Sequence, residues 1–365
     1  LPYHVDGGET MADNGRRSLL LSLAEIIKDY KHLPVRGEGD IPRHIERWLN
    51  QFDKKDQYVI LYEMNHVMKK FYFSRSKVKE IIRRFILRIV AEGQNHAIME
   101  NVSFLSLQAE NSSQRAILEL VDETLREDFG YSLADIGTKS IKKYIYLDDA
   151  IYTGNRLRYD LTSGWFSTIV EKCELIVYAI ARHEEGTKYA LPHIMRAVQD
   201  FKITFRGSTF LKINDTHASN VCSEILWPER VSKDELIDAY VSELCENATY
   251  KVTPERLFRP VSVGNIQETL FSSPEARRVV EQAFLRKGIQ IIRACRSVAP
   301  SIRPLGFTPL TSLGFGTLFV TYRNIANNCP LVLWWGDADQ RYVNHPFSIW
   351  YPLFPRVTNR VRDML

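Results

Sequence analysis

The sequence predicts an α/β protein with a parallel sheet at its centre. Three observations carry that expectation. Over the first 95 residues the apolar positions recur at helical spacing. From about residue 101, short apolar runs alternate with amphipathic segments, the pattern of β–α–β units. One of those runs, residues 175–181, is continuously apolar, as a strand buried on both faces must be.

Taken in order, the first helix spans residues 16–30, with Leu19, Leu20, Leu23, Ile26 and Ile27 on one face. A break marked by Gly and Pro follows at 34–42. Ile45, Trp48, Leu49 and Phe52 then resume the helical rhythm. Residues 58–71 and 76–91 predict two more helices, the second closed by Gly93. Residues 102–107 predict a strand, 114–125 a helix, 144–147 a strand, and 156–171 a helix weakened by Gly164. A strand at 175–181, a helix near 191–198 and a strand at 202–205 complete the alternation. In the last third, 234–245 predicts a helix. Ser273-Pro274 is a cap and first-turn pair for a long helix running to about residue 296. Leu313-Gly314-Phe315-Gly316 is expected to be a glycine-hinged turn or strand, and 331–335 a strand. Residues 350–356 are too proline-rich for a helix. The expected division is a helical N-terminal region (11–95), a sheet-bearing core (96–215) and a mixed C-terminal cap (216–365).

Composition excludes several classes. The chain has 365 residues, 45% of them hydrophobic and 25% charged, as in ordinary folded domains. The formal net charge is +4, too near balance to make the whole chain a nucleic-acid binder. Cys173, Cys222, Cys245, Cys295 and Cys329 are odd in number and widely spaced, which is neither a disulfide framework nor a zinc site. A reduced, cytoplasmic setting is expected. No apolar run reaches the roughly 18 residues of a membrane span. The opening residues lack a basic stretch followed by an apolar one, so no signal peptide is expected.

The chemistry is expected in the segment Tyr144-Ile145-Tyr146-Leu147-Asp148-Asp149-Ala150-Ile151-Tyr152-Thr153-Gly154-Asn155-Arg156. An apolar strand ends in two adjacent acids, and a Thr-Gly-Asn turn then opens a helix. Parallel sheets bind ligands at the carboxyl ends of their strands. A helix N-terminus there presents backbone N–H groups to a phosphate. Gly154 lets the backbone approach it. Two adjacent carboxylates can accept hydrogen bonds from vicinal ribose hydroxyls, or hold Mg²⁺ through water. The bland alternative is a solvated acid pair that merely caps a helix.

This segment resembles the phosphoribosyl-pyrophosphate motif of type I phosphoribosyltransferases. The resemblance implies that Asp148 and Asp149 are the candidate catalytic pair and hold the ribose hydroxyls. It implies that Ala150, Ile151, Tyr152, Thr153, Gly154, Asn155 and Arg156 wrap the 5′-phosphate. Arg156 departs from the pattern, standing where the family has Thr or Ser. It would meet a phosphate by charge. A second departure is length. Catalytic members insert a strand and a long loop before the motif, and only residues 126–143 are available here. The pyrophosphate side is expected after the first strand, at Ser112, Ser113 and Arg115, though an N-cap and a surface Arg explain those residues equally well. His183, after the third strand, is a candidate base contact or a plain loop residue.

A narrower resemblance spans nearly the whole chain. Trp48-Leu49-Asn50-Gln51-Phe52, the acid-pair motif, Leu313-Gly314-Phe315-Gly316, Asn327-Asn328 and Leu333-Trp334-Trp335-Gly336 occur in that order. Together they look like a bacterial group of phosphoribosyltransferase-like proteins from conflict and anti-phage loci, some accompanying retron reverse transcriptases. That implies an antiviral effector or regulator with phosphoribosyl pyrophosphate or a nucleotide as ligand, and a reverse transcriptase or its nucleic acid as partner. Trp48, Phe52, Trp334 and Trp335 are expected to pack the core.

The segment from Arg75 to Arg88 carries Arg75, Lys77, Lys79, Arg83, Arg84 and Arg88 around an apolar stripe, with Lys69 and Lys70 just before it. It is either an RNA or DNA backbone contact or a solvated face. Three functions are therefore expected to compete: a transferase or a glycosidic-bond-cleaving enzyme, a nucleotide sensor without turnover, and a structural subunit that docks on a nucleic-acid complex.

Overall fold

The structure, a computed structural model, describes residues 11–35, 37–92, 96–110, 112–199, 203–215, 223–231, 233–248, 251–260, 268–295, 298–338 and 346–356. Its elements, in order, are α1 (Met11–Ile27), α2 (Ile41–Leu49), α3 (Lys54–Phe71), β1 (Tyr72–Phe73), α4 (Arg75–Glu92), β2 (Val102–Phe104), α5 (Ser113–Phe129), β3 (Lys143–Ile151), α6 (Asn155–Asp160), β4 (Cys173–His183), α7 (Glu184–Gln199), β5 (Ile203–Ile213), α8 (Glu235–Glu246), α9 (Pro254–Leu257), α10 (Pro274–Ala294), β6 (Val320–Thr321) and α11 (Leu331–Trp334). Among the described residues no helix is long and apolar enough to cross a membrane. Cys222, Gly93 and Lys202 lie outside the described residues.

The chain forms two compact units. One holds residues 75–216. The other joins residues up to 74 with those from 217 onward. The division differs from the three regions expected from sequence. The N-terminal helices and the C-terminal third build one unit together, and α4 goes with the sheet.

The sheet-bearing unit contains four parallel strands in the order β2-β3-β4-β5. Register is continuous across the middle pair: Tyr144 faces Leu175, Tyr146 faces Val177 and Asp148 faces Ala179. Period-2 alternation then sorts the side chains. Tyr146, Leu175, Val177 and Ala179 pack with Leu157 and Leu161 after β3 and with Ala190 and Ile194 of α7. On β4, the next residue round, Tyr178, stacks on Phe85 of α4 at 4.2 Å between ring centres. Central strand β4 is buried along nearly its whole length, which explains its unbroken apolar run. The expected helix over 156–171 is shorter. Regular α6 stops at Asp160, and Gly164 at φ 128° breaks the path into tight turns ending at Thr168.

The other unit has a single apolar core drawn from both ends of the chain. Trp48 and Trp335 are 0% exposed, Trp334 2% and Phe52 3%, so the aromatic motifs are packing residues. The Trp48 and Trp350 indoles both donate to the Val332 carbonyl, at 2.7 and 2.9 Å. Gln51 grips Tyr351 with both ends of its amide, each at 2.8 Å. Residues 331–334 form one helical turn rather than the expected strand. Periodicity cannot separate a short buried strand from a short buried helix, and Pro330 opens the turn. Gly314 and Gly316 lie in an irregular segment, neither turn nor strand, with φ of 138° and 78°. Ser273 caps α10 as expected, accepting from the Ala276 N–H at 3.1 Å.

One ionic cluster pins this unit. Arg277 on α10 is 3% exposed and pairs with Glu281 at 2.7 Å and Glu268 at 2.5 Å. It also donates to the carbonyls of Ile225 and Ser223. Glu281 in turn accepts from the Trp227 N–H at 2.9 Å. Removing one member of a buried pair strands the others without water. Arg277→Met is expected to lower stability by about 3–5 kcal/mol, read as a shift in the urea unfolding midpoint. A shift under about 1 kcal/mol would show the cluster to be solvated.

Candidate functional site

Strand β3 runs past the acid pair to Ile151, so Ala150 and Ile151 are strand residues, opposite Ala181 and Arg182 of β4. The loop proper is Tyr152, Thr153 and Gly154. That shortens the expected phosphate wrap at its start. Asn155 and Arg156 open α6, which has only six residues. A helix this short contributes little dipole, so a phosphate here would depend on loop N–H groups, the Thr153 hydroxyl and the Arg156 charge. Thr153 Oγ1 already accepts from the Asn155 N–H at 3.4 Å.

Asp148 is the best-connected residue of the site. It is 7% exposed. Its Oδ1 accepts from the Ser113 hydroxyl at 2.6 Å and from the Asp149 N–H at 2.9 Å. Its Oδ2 accepts from the Gln108 amide at 3.1 Å. Burial first, then the charge of Asp149, pushes its carboxyl up to about 7, against the lowering effect of those donors. Asp149 is half-buried and accepts from the Ala150 N–H at 2.8 Å. Asp149 is thus the more accessible of the two acids.

The structure adds three residues that the sequence did not single out. Asp160, at the end of α6, is 5% exposed. Its Oδ2 accepts from the Tyr146 hydroxyl at 2.8 Å and from Gln108 at 3.0 Å. Its Oδ1 pairs with Arg156 Nε at 2.8 Å. Gln108 therefore bridges two buried carboxylates, Asp148 and Asp160, and also donates to the Tyr146 hydroxyl at 2.9 Å. Gln114, fully buried, holds the approach in place: its Oε1 accepts from the N–H groups of Leu107 and Gln108. Period-2 alternation places Tyr146 and Asp148 on one face, but nothing local announces that Gln108 and Asp160 meet them there.

The remaining candidates separate. Ser112 is the N-cap of α5, accepting from the Arg115 N–H at 3.3 Å. Ser113 serves Asp148. Arg115 is exposed. His183 is a structural residue, not a base contact. It is 7% exposed, and its Nδ1 accepts from the Gly186 N–H at 3.2 Å. Nε2 is 2.7 Å from the Asp215 carbonyl and so donates to it. Both nitrogens are engaged at the start of α7.

Gly154 is constrained by the protein's own packing. It has φ 69°, and a Cβ there would lie 2.4 Å from the Ala190 Cβ of α7. Gly186 mirrors it: a Cβ there would lie 1.5 Å from the Tyr152 carbonyl oxygen. The loop is held flat against α7 by two glycines. A side chain at 154 clashes with protein before it meets a phosphate.

The connection from α5 to β3 has no helix or strand and is tied at the amino edge of the sheet. Gly137, Lys139 and Lys142 donate to the carbonyls of Met99, Glu100 and Asn101, just before β2. Nothing in this stretch reaches over the acid pair at the opposite edge. Half of the basic residues of the α4 stripe pair with α5. Arg75 and Lys79 meet Glu123, Lys79 also meets Glu127, and Arg83 meets Asp128 at 3.1 Å. Arg84 pairs within its own helix with Glu80. Among the described residues no three His, Cys, Asp or Glu side chains converge on a metal position. With both Asp148 oxygens accepting hydrogen bonds, a Mg²⁺ would have to rely on Asp149 and on oxygens brought by a ligand. Elsewhere, a cavity of about 350 Å³ lies between the start of α3 and α10. It is in the other unit, and its Arg278, Arg286 and Lys287 are paired with Glu229, Asp234 and Asp53.

The sequence model of the PRTase-CE family matches residues 45–356, most of the chain. The chain belongs to the PRTase-CE family. No curated protein and no solved structure is matched. A PRTase-CE protein is phosphoribosyltransferase-like, and the matched span holds both the acid-pair strand and the aromatic motifs of the other unit.

Two outcomes test this geometry. Gly154→Ala is expected to cost about 1–3 kcal/mol by overpacking, and Ala190→Gly in the same protein is expected to restore part of the lost melting temperature. A phosphate-side role alone would give no such rescue. The second concerns pH. The folded-state carboxyl of Asp148 lies at about 7, above its ordinary 3.8. Its contribution to stability is fully present below 3.8 and is lost as pH rises to about 7. The wild type is therefore expected to lose melting temperature relative to Asp148→Asn between those values. Parallel curves would contradict the burial of that carboxyl.

Proposed function

We propose that the loop and acid pair bind a 5-phosphorylated ribose, carried by phosphoribosyl pyrophosphate or a nucleotide. One observation carries this: Asp148 and Asp149 stand at the carboxyl edge of an inner parallel strand, just before a Thr153-Gly154 turn into α6. That edge is where parallel sheets take ligands. Asp149 accepts a ribose hydroxyl, the loop N–H groups and Thr153 hold the phosphate, and Asp148 orders the strand end behind them. Family membership supports the ligand class.

Binding without standard transfer is favoured by a specific feature. The α5–β3 connection is bound down at the amino edge, so it supplies no cover that would exclude water from a reacting centre. A nucleotide-responsive effector or regulator, in the antiviral setting of retron-type systems, fits such a site better than a salvage transferase. Docking on a reverse transcriptase or its nucleic acid is the alternative. The ion pairs between α4 and α5 leave that helix a weaker backbone-binding face than its sequence suggests.

The test is titration calorimetry with phosphoribosyl pyrophosphate, ribose 5-phosphate and common nucleotides, with and without Mg²⁺. Asp149→Asn, at the more accessible acid, is expected to lower affinity about tenfold or more while keeping a wild-type melting temperature. Equal affinity in that variant and in Asp148→Asn/Asp149→Asn would leave only the scaffold reading.

A further inference from the structure

We propose that Arg156 and Asp160 form a counter-ion switch, in which Asp160 holds the Arg156 guanidinium until a 5′-phosphate on the loop competes for it. The inference rests on the binding site proposed above and adds a regulating pair to it. Arg156 is the second residue of α6, next to the Thr153-Gly154 turn, and its side chain is 59% exposed. Asp160 lies one turn on, its side chain 2% exposed. The pair is thus lopsided: one partner is free to swing and the other is fixed.

The fixed partner is wired to the acid pair. Asp160 Oδ2 shares the Tyr146 hydroxyl and the Gln108 amide with Asp148 Oδ2. Of these groups only Arg156 is a cation. When a phosphate draws Arg156 away, Asp160 keeps its two neutral donors and leans on them harder. Those same donors serve Asp148. Phosphate binding at one end of the loop is therefore felt at the acid pair through Gln108 and Tyr146, and Asp160 acts as a positioning residue. A Thr or Ser at position 156 would bind phosphate without that competition. A phosphate must displace the Asp160 carboxylate before it gains the guanidinium.

The competition fixes the sign of a mutational effect. Asp160→Asn keeps the volume and frees Arg156, so ribose 5-phosphate is expected to bind about two- to fivefold tighter. Arg156→Gln is expected to bind it about tenfold or more weakly. In the Arg156→Gln background, Asp160→Asn is expected to change affinity little. A merely structural Asp160 predicts the reverse: weaker or unchanged binding from Asp160→Asn, by the same factor in both backgrounds, which would overturn the switch. A further reading uses the wild type alone. The Nε–H resonance of Arg156 is expected to shift on saturation with ribose 5-phosphate, and a stationary signal with binding confirmed overturns the proposal. If the wild type binds neither ribose 5-phosphate nor phosphoribosyl pyrophosphate, the binding site itself is wrong and the switch falls with it.

Discussion

The sheet-bearing unit is organised around a carboxylate buried at the end of β3. A buried charge persists only when its oxygens find donors. Asp148 finds them in two places, the approach to α5 (Gln108, Ser113) and its own strand (the Asp149 N–H). Gln108 donates to Asp160 at the end of α6 as well. Satisfying one side chain therefore fixes where the β2–α5 connection, the strand end and α6 lie with respect to each other. Gln114, buried beneath, extends the same logic to the backbone by accepting from two successive N–H groups and donating to the Leu147 carbonyl.

A second constraint is steric. The loop after β3 lies against α7 so closely that neither Gly154 nor Gly186 has room for a methyl group. His183 then engages the Gly186 N–H and the Asp215 carbonyl, holding the turn into α7. The loop is thus shaped by protein, with Tyr152 and Gly154 buried and Thr153 half-buried. A ligand site built this way would gain from preorganisation, because the backbone need not be ordered at the moment of binding.

Much of this is legible in the sequence, and the boundary of legibility is physical. The order strand, acid pair, turn, helix is local, so it survives in a linear reading. So does the alternation that puts Tyr146 and Asp148 on one face. The pairing of Gln108 with Asp160 spans 52 positions and has no local signature. Gly154 stands out in the sequence but points to the wrong neighbour, because the closeness of Ala190 is a property of α7 packing. The 331–334 turn is misread as a strand because four apolar residues carry no period of their own. The basic stripe of α4 looks unbalanced in part because acids that pair with Arg75, Lys79 and Arg83 reside on α5, about 45 positions away. Single-helix charge counts omit such partners.

The two edges of the sheet are built differently. At the amino edge the α5–β3 connection is short and tied by three backbone bonds to residues 99–101. At the carboxyl edge lie the buried acid, the glycine-flattened loop and an exposed Arg156. A transferase must enclose its reacting centre to keep water from the intermediate. A sensor needs only to hold a ligand and register its presence. The polar chain from Arg156 through Asp160 and Gln108 to Asp148 suits a sensor, because it joins an exposed cation to two buried carboxylates without a gap longer than 3.1 Å. A ligand that drew Arg156 away from Asp160 would change the electrostatics of that chain at the donors that also stabilise the fold.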